Sequence, residues 1–187
     1  MKRHRLLLAL VALVGLLTLP ALATLTARIA LGFTTNYSQT SGLGTAANNL
    51  AVSRLIEFAD GTGADQANTI YHASRTLAVD ANEVLDLYAS GTLEDPLGNA
   101  LTLEEMKLLY LYNTSADATL LVFGGTTPVG VCSDSSDIVE LPPGGKFLWT
   151  APASGGIDIT TNKNLKLEHN GTGSSTLTYE IIVLGVD

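Results

Sequence analysis

The stretch at residues 75–125, RTLAVDANEVLDLYASGTLEDPLGNALTLEEMKLLYLYNTSADATLLVFGG, decides the fold. It strings together short runs in which apolar and polar residues alternate: Leu77 with Val79, Leu85 with Leu87, Leu109 with Leu111, Leu120 with Val122. A period of two puts one face of a strand in a core and the other outside it. Each run is closed by Gly, Pro, Asn, Asp or Ser, the residues that turns select. The block therefore predicts the middle of an all-β, antiparallel β-sandwich or jelly roll, with strands at 75–79, 83–88, 107–113 and 119–123. Asp95-Pro96-Leu97-Gly98-Asn99 is turn chemistry, and Thr102-Leu103-Glu104-Glu105 has the N-cap and acidic first turn of a short helix.

The same rhythm extends outward. Toward the N-terminus, residues 24–33 and 52–59 alternate as strands. Residues 34–50, rich in Thr, Ser, Gly and Asn, predict a long loop between them, and residues 64–73 a single helical turn. Toward the C-terminus, strands are expected at 138–141, 146–150, 157–160, 165–168 and 176–186, the first stopped by Pro142-Pro143-Gly144-Gly145. About ten short strands at this spacing, with no helix long enough for a crossover, favour a sandwich over a parallel sheet.

A chain of 187 residues is one domain by length and long enough to bury a core without disulfides or a metal. Its 46 % hydrophobic and 15 % charged composition excludes a disordered protein. A net charge of −8 argues against a nucleic-acid surface, which needs clustered Lys and Arg. Cys132 is alone, so no internal disulfide forms, and it reads as a small core residue. Lys2, Arg3 and Arg5 precede an unbroken apolar run at 6–17, then Pro20 and Ala21-Leu22-Ala23, a small-x-small cleavage pattern. The expectation is an export leader at residues 1–23, touching a membrane only before cleavage, followed by one β-sandwich domain at 24–187. Removing the leader's three basic residues takes the remainder to −11.

Sites of chemistry are scarce. Beyond His4 in the leader, His72 and His169 lie far apart with no metal-ligand spacing around them. Asp60-Gly-Thr-Gly-Ala-Asp65 is the one stretch resembling a cation loop, but it lacks the alternate acidic ligands and closing glutamate of an EF-hand; an Asx-Gly turn is the simpler reading of Asp60 and Asp65. The pairs Gly124-Gly125 and Gly144-Gly145 lack a phosphate-loop pattern and read as turns. Glu94, Asp95, Glu104 and Glu105 form an acidic cluster whose adjacent members do not face each other across a substrate, as a glycosidase pair must. Tyr110, Tyr112, Phe123, Phe147 and Trp149 are candidates for a glycan-stacking platform or an interface, against the simpler reading as core. Asn36, Asn113 and Asn170 begin glycosylation sequons. No catalytic set, cofactor or metal site is implied.

Four phrases carry a resemblance: IEFADGTGADQANTIYHASRTL (56–77), LDLYASGTLEDPLGNALTLEEMKLLYLYNTS (85–115), VELPPGGKFLWTAP (139–152) and the ending TYEIIVLG (178–185). Together they resemble a family of small bacteriophage and prophage proteins encoded among virion structural genes. The resemblance implies a β-sandwich virion protein, a head decoration, fibre or tail-associated subunit that works as a homo-oligomer beside other virion proteins and carries no enzymatic residues. The chain departs from that pattern in its leader, since such relatives start near the first strand. The alternative is a secreted surface- or glycan-binding module, adhesive or lectin-like, which the leader favours.

Overall fold

Alternation is strongest where a strand has a face to bury, and those strands make the body of the protein. The computed structural model describes residues 24–88, 93–123, 126–132, 134, 136–153, 155–173 and 175–187; the expected leader at 1–23 and the Gly124-Gly125 turn lie outside the described residues. Among them the strands are β1 (Ala27–Ser41), β2 (Gly44–Phe58), β3 (Thr69–Leu77), β4 (Asn82–Asp86), β5 (Glu105–Asn113), β6 (Leu120–Phe123), β7 (Ile138–Leu141), β8 (Lys146–Thr150), β9 (Ile157–Asp158), β10 (Asn164–His169) and β11 (Leu177–Val186).

Two sheets face each other. One has the order β3-β11-β5-β8, with β9 paired to the end of β5; the other has the order β4-β10-β6-β7. Every pairing is antiparallel, and four of them nest: β3 with β11, β4 with β10, β5 with β8, β6 with β7. Between the sheets lies one core, in which Leu109, Leu111, Tyr179, Ile181 and Val183 meet Leu85, Leu120, Val122, Leu165 and Leu167. The protein is thus an antiparallel β-sandwich, as the alternation predicts. The central strand β11 is apolar on both faces, with Leu177, Tyr179, Ile181 and Val183 inward and Ile182 and Leu184 outward. Its register against β5 shifts at Leu184/Gly185. Glycine is required there, because a Cβ on Gly185 would overlap the Glu105 carbonyl oxygen.

Three expectations are corrected. Residues 34–50 are not a loop: β1 and β2 run through them as one hairpin of fifteen consecutive pairs, Ala27↔Phe58 to Ser41↔Gly44, turned by Gly42 and Leu43. No helical turn forms at 64–73; Gln66 folds back to accept from the Gly63 amide at 2.8 Å, and β3 starts at Thr69. Nor does a helix form at 102–105. The Glu104 amide is claimed by the Val186 carbonyl at 2.7 Å, and Leu103 and Met106 are fully buried, so sheet pairing overrides the capping pattern.

A second, smaller core lies on the outer face of the five-stranded sheet. Leu25, Ala27, Ile29, Ile56 and Phe58 from the root of the β1-β2 hairpin pack there on Ala67, Ile70, Leu108, Leu148, Ile182 and Leu184. The Leu25 amide donates to Asp60 Oδ1 at 3.1 Å, and Ala59 bridges Gln66, which pins the hairpin root to the body.

Candidate interaction surface

Beyond its root the hairpin becomes a free arm. Directly opposed residues of an antiparallel pair share a face, so the register assigns every side chain. One face carries Ala27/Phe58, Ile29/Ile56, Leu31/Arg54, Phe33/Val52, Thr35/Leu50 and Tyr37/Asn48; the other carries Arg28/Glu57, Ala30/Leu55, Gly32/Ser53, Thr34/Ala51 and Asn36/Asn49. The first face is an apolar stripe interrupted by Arg54, the second mostly small and polar. The stripe is covered at the root only. Past Ile29 and Ile56 every residue of the two strands except Thr35 and Val52 is exposed, with Phe33 at 58 % and Tyr37 at 72 %. Single exposed apolar residues are ordinary, but here they line up in one row on one ribbon.

Beside the root lies a groove of about 600 Å³ between β1 (Ala27 to Leu31) and the outer sheet face. Its floor is Ile70, Leu108, Tyr110, Leu148, Ile182 and Leu184, with Lys146 at the rim. Burial and the neighbouring Glu180 raise the Tyr110 hydroxyl above its ordinary pKa. Among the described residues β1 pairs with β2 alone, which leaves its outer edge open there.

The predicted aromatic platform is divided. Tyr110 and Tyr112 stand on the outer face, with Lys146 Nζ 3.9 Å from the Tyr112 ring centre. Phe147 and Trp149 pair with Leu111 and Leu109 on the opposite face and pack against the main core. Phe123 lies in the other sheet, beneath Lys166 Nζ at 4.9 Å. Five residues split over three places cannot stack one sugar.

The two histidines are equally separate. His72 is exposed on β3, while His169 is buried at the end of β10. His169 Nδ1 accepts from the Gly171 amide at 3.0 Å, so Nε2 carries the proton and donates to the Ser175 carbonyl at 3.1 Å. The ring is a turn clamp with both nitrogens occupied. Asp60 caps the Leu25 amide, and Asp65 sits at φ 54° with its amide donating to the Pro152 carbonyl at 2.8 Å. The pair is a latch for the hairpin root, and among the described residues no group of three or more His, Cys, Asp or Glu gathers as metal ligands. Glu94 and Asp95 stay in their turn, where Asp95 accepts from the Leu97 and Asn99 amides, while Glu105 pairs with fully buried Lys107 at 2.8 Å. Asn113 is fully buried, its amide donating to the Ala118 and Leu141 carbonyls, which removes it as a glycosylation acceptor. Cys132 is buried, and burial and Asp137 push its thiol pKa up.

The arm is the feature that sequence reasoning missed. The available signal was faint: Ile29, Leu31, Phe33 and Tyr37 keep the period of two well into the polar segment. Comparison with protein-family models, with curated proteins and with solved structures finds no match to this chain.

Proposed function

We propose that this chain is a non-enzymatic structural subunit of a phage or phage-like particle, one that works by self-association. The observation that carries the reading is the amphipathic arm, whose apolar stripe is rooted in the body and left uncovered along most of its length. A two-stranded ribbon alone in water is marginally stable. A chain that invests thirty strand residues in one is built to be completed by a neighbour. The nested strand order is that of a jelly roll as we read it, an architecture frequent in viral capsid and lectin domains. Fold alone does not carry function, and the four phrases that resemble virion proteins supply the choice between those two. The divided aromatic residues weaken the glycan-binding alternative.

Light scattering on the full chain in solution tests the reading. The expected outcome is a discrete symmetric oligomer at micromolar concentration; a monodisperse monomer across that range overturns it. Retention on a broad glycan array by a monomer would move the assignment to a secreted binding module.

A further inference from the structure

We infer that the distal stripe of the arm docks on a second copy of this chain, in the groove on the outer face of its five-stranded sheet. The inference rests on the self-association reading and names the surfaces that make the contact.

Continuity is the first argument. The root of the stripe, Ala27, Ile29, Ile56 and Phe58, already packs on this sheet face within one chain, so the face has a demonstrated fit for this side-chain row. Leu31, Phe33, Val52, Leu50 and Tyr37 extend the same row. Leu31 lines the edge of its own groove, but Phe33, Val52, Leu50 and Tyr37 lie beyond it, where the unbroken register of fifteen pairs carries the row outward. From Leu31 to the tip the arm projects about 35 Å at ~3.3 Å per residue. That is close to the roughly 35 Å breadth of a compact body of this size, so the arm spans one neighbour.

Charge supplies the second argument. From Ala59 onward the chain holds five basic and seventeen acidic residues, a balance of −12; residues 24–58 hold Arg28, Arg54 and Glu57, a balance of +1. An acidic body repels another acidic body but accepts a neutral, slightly basic arm. The match extends to single residues. Arg54 interrupts the apolar stripe, donates only to the Ser53 carbonyl at 2.9 Å and forms no ion pair among the described residues. The acceptor face is apolar through Ile182, Leu184, Leu108 and Leu148, and bears exposed Glu180 two residues before Ile182 on β11. An extended occupant also finds backbone partners along the open edge of β1.

The test is a directed cross-link. In a Cys132→Ala background, Phe33→Cys and Leu148→Cys chains are purified separately, one with a mass tag, then mixed and oxidised mildly. The expected product is the mixed disulfide dimer, which only an intermolecular arm-in-groove contact gives. An oligomer that yields only disulfides between two Phe33→Cys chains, or no link, overturns the docking but leaves self-association standing. A monomer at every concentration overturns both. Two exposed-site variants read the same contact without threatening the fold. Phe33→Asp is expected to weaken association at least tenfold; unchanged association overturns the inference. Arg54→Glu is expected to weaken it, and the double variant Arg54→Glu/Glu180→Arg to restore it; a double variant as weak as the single overturns the charge pairing. Dye release from phosphatidylcholine vesicles by a monomeric chain would assign the arm to a lipid surface and overturn docking on a copy.

Discussion

Asn113 shows how much one buried amide can hold. Its Nδ2 group donates at 2.8 Å to both Ala118 and Leu141, and its Oδ1 accepts from the Ser115 amide at 3.0 Å. It thereby ties the end of β5 to the β6–β7 edge of the facing sheet. Asn113→Ala takes this partner from the Leu141 carbonyl and the Ser115 amide at a fully buried position, while the Ala118 carbonyl keeps the Ser115 hydroxyl at 2.9 Å; each group that water cannot reach costs about 1–3 kcal/mol. The expected loss is therefore about 2 kcal/mol or more, read as a lower urea midpoint at unchanged slope. Tyr179 gives a second residue-scale prediction. Its hydroxyl is buried and donates to Glu83 Oε1 at 2.6 Å, and burial followed by Glu83 raises its pKa well above the ordinary 10.0, with Arg75 opposing and Tyr71 adding. Above pH 10 the unfolded chain releases this proton while the folded chain retains it, so stability falls as pH rises. That contribution is whole below pH 10. Urea midpoints at pH 8, 10 and 11 should decline through the last interval, and Tyr179→Phe should flatten the decline while lowering the midpoint at pH 8. Of these roles the sequence showed only the alternation that puts Tyr179 on one face with Leu177, Ile181 and Val183; nothing in it tells that Asn113 is a buried tie rather than a turn residue or a glycan acceptor. Partners 5 and 28 residues away are set by the fold.

Elements were legible in proportion to the contrast between their faces. β5, β6, β7, β8, β10 and β11 fall within a residue or two of the alternating runs, because each turns one row into the main core, although the second core also covers Leu108, Ile182 and Leu184 on the outer rows of β5 and β11. The capping pattern at Thr102 misled because it is local, whereas the Glu104 amide answers to Val186, over eighty residues on. The arm was illegible for the opposite reason. Its distal half buries no face against its own body, and Thr, Ser and Asn dominate its composition, so the apolar row stands out less. Strand pairing there is held by backbone bonds between β1 and β2 with a Thr40–Thr45 hydroxyl contact and a Ser41 hydroxyl bond to the Gly44 carbonyl near the tip, and such ribbons open readily. Hydrogen exchange should therefore divide the chain. In dilute solution, amides from Leu31 to Arg54 should exchange within seconds to minutes while those of β5 and β11 stay protected for hours or longer. At concentrations where the chain associates, the arm amides should slow at least tenfold. Arm protection that does not depend on concentration would mean that the ribbon is stabilised within a single chain.

At the scale of the molecule, two tendencies oppose each other. The acidic body, −12 from Ala59 onward, pushes copies apart over distances set by the ionic atmosphere, while in the proposed association the uncovered stripe draws them together at contact. The screening length is roughly 30 Å at 0.01 M salt and roughly 3 Å at 1 M, so added salt removes the repulsion and leaves apolar burial nearly untouched. An exposed Arg54–Glu180 pair is screened as well, but such a pair contributes only about 0–1 kcal/mol, less than the burial of Leu31, Phe33 and Tyr37 at about 1.5–3 kcal/mol for each side chain fully covered. Self-association should accordingly tighten as sodium chloride rises from about 0.02 M to about 0.5 M, measured by sedimentation equilibrium, and Phe33→Asp should remove most of that gain by adding charge at the contact. Association that weakens steadily with salt would mean that opposite charges, not the stripe, hold the copies together. The arm would then be a spacer between charged bodies.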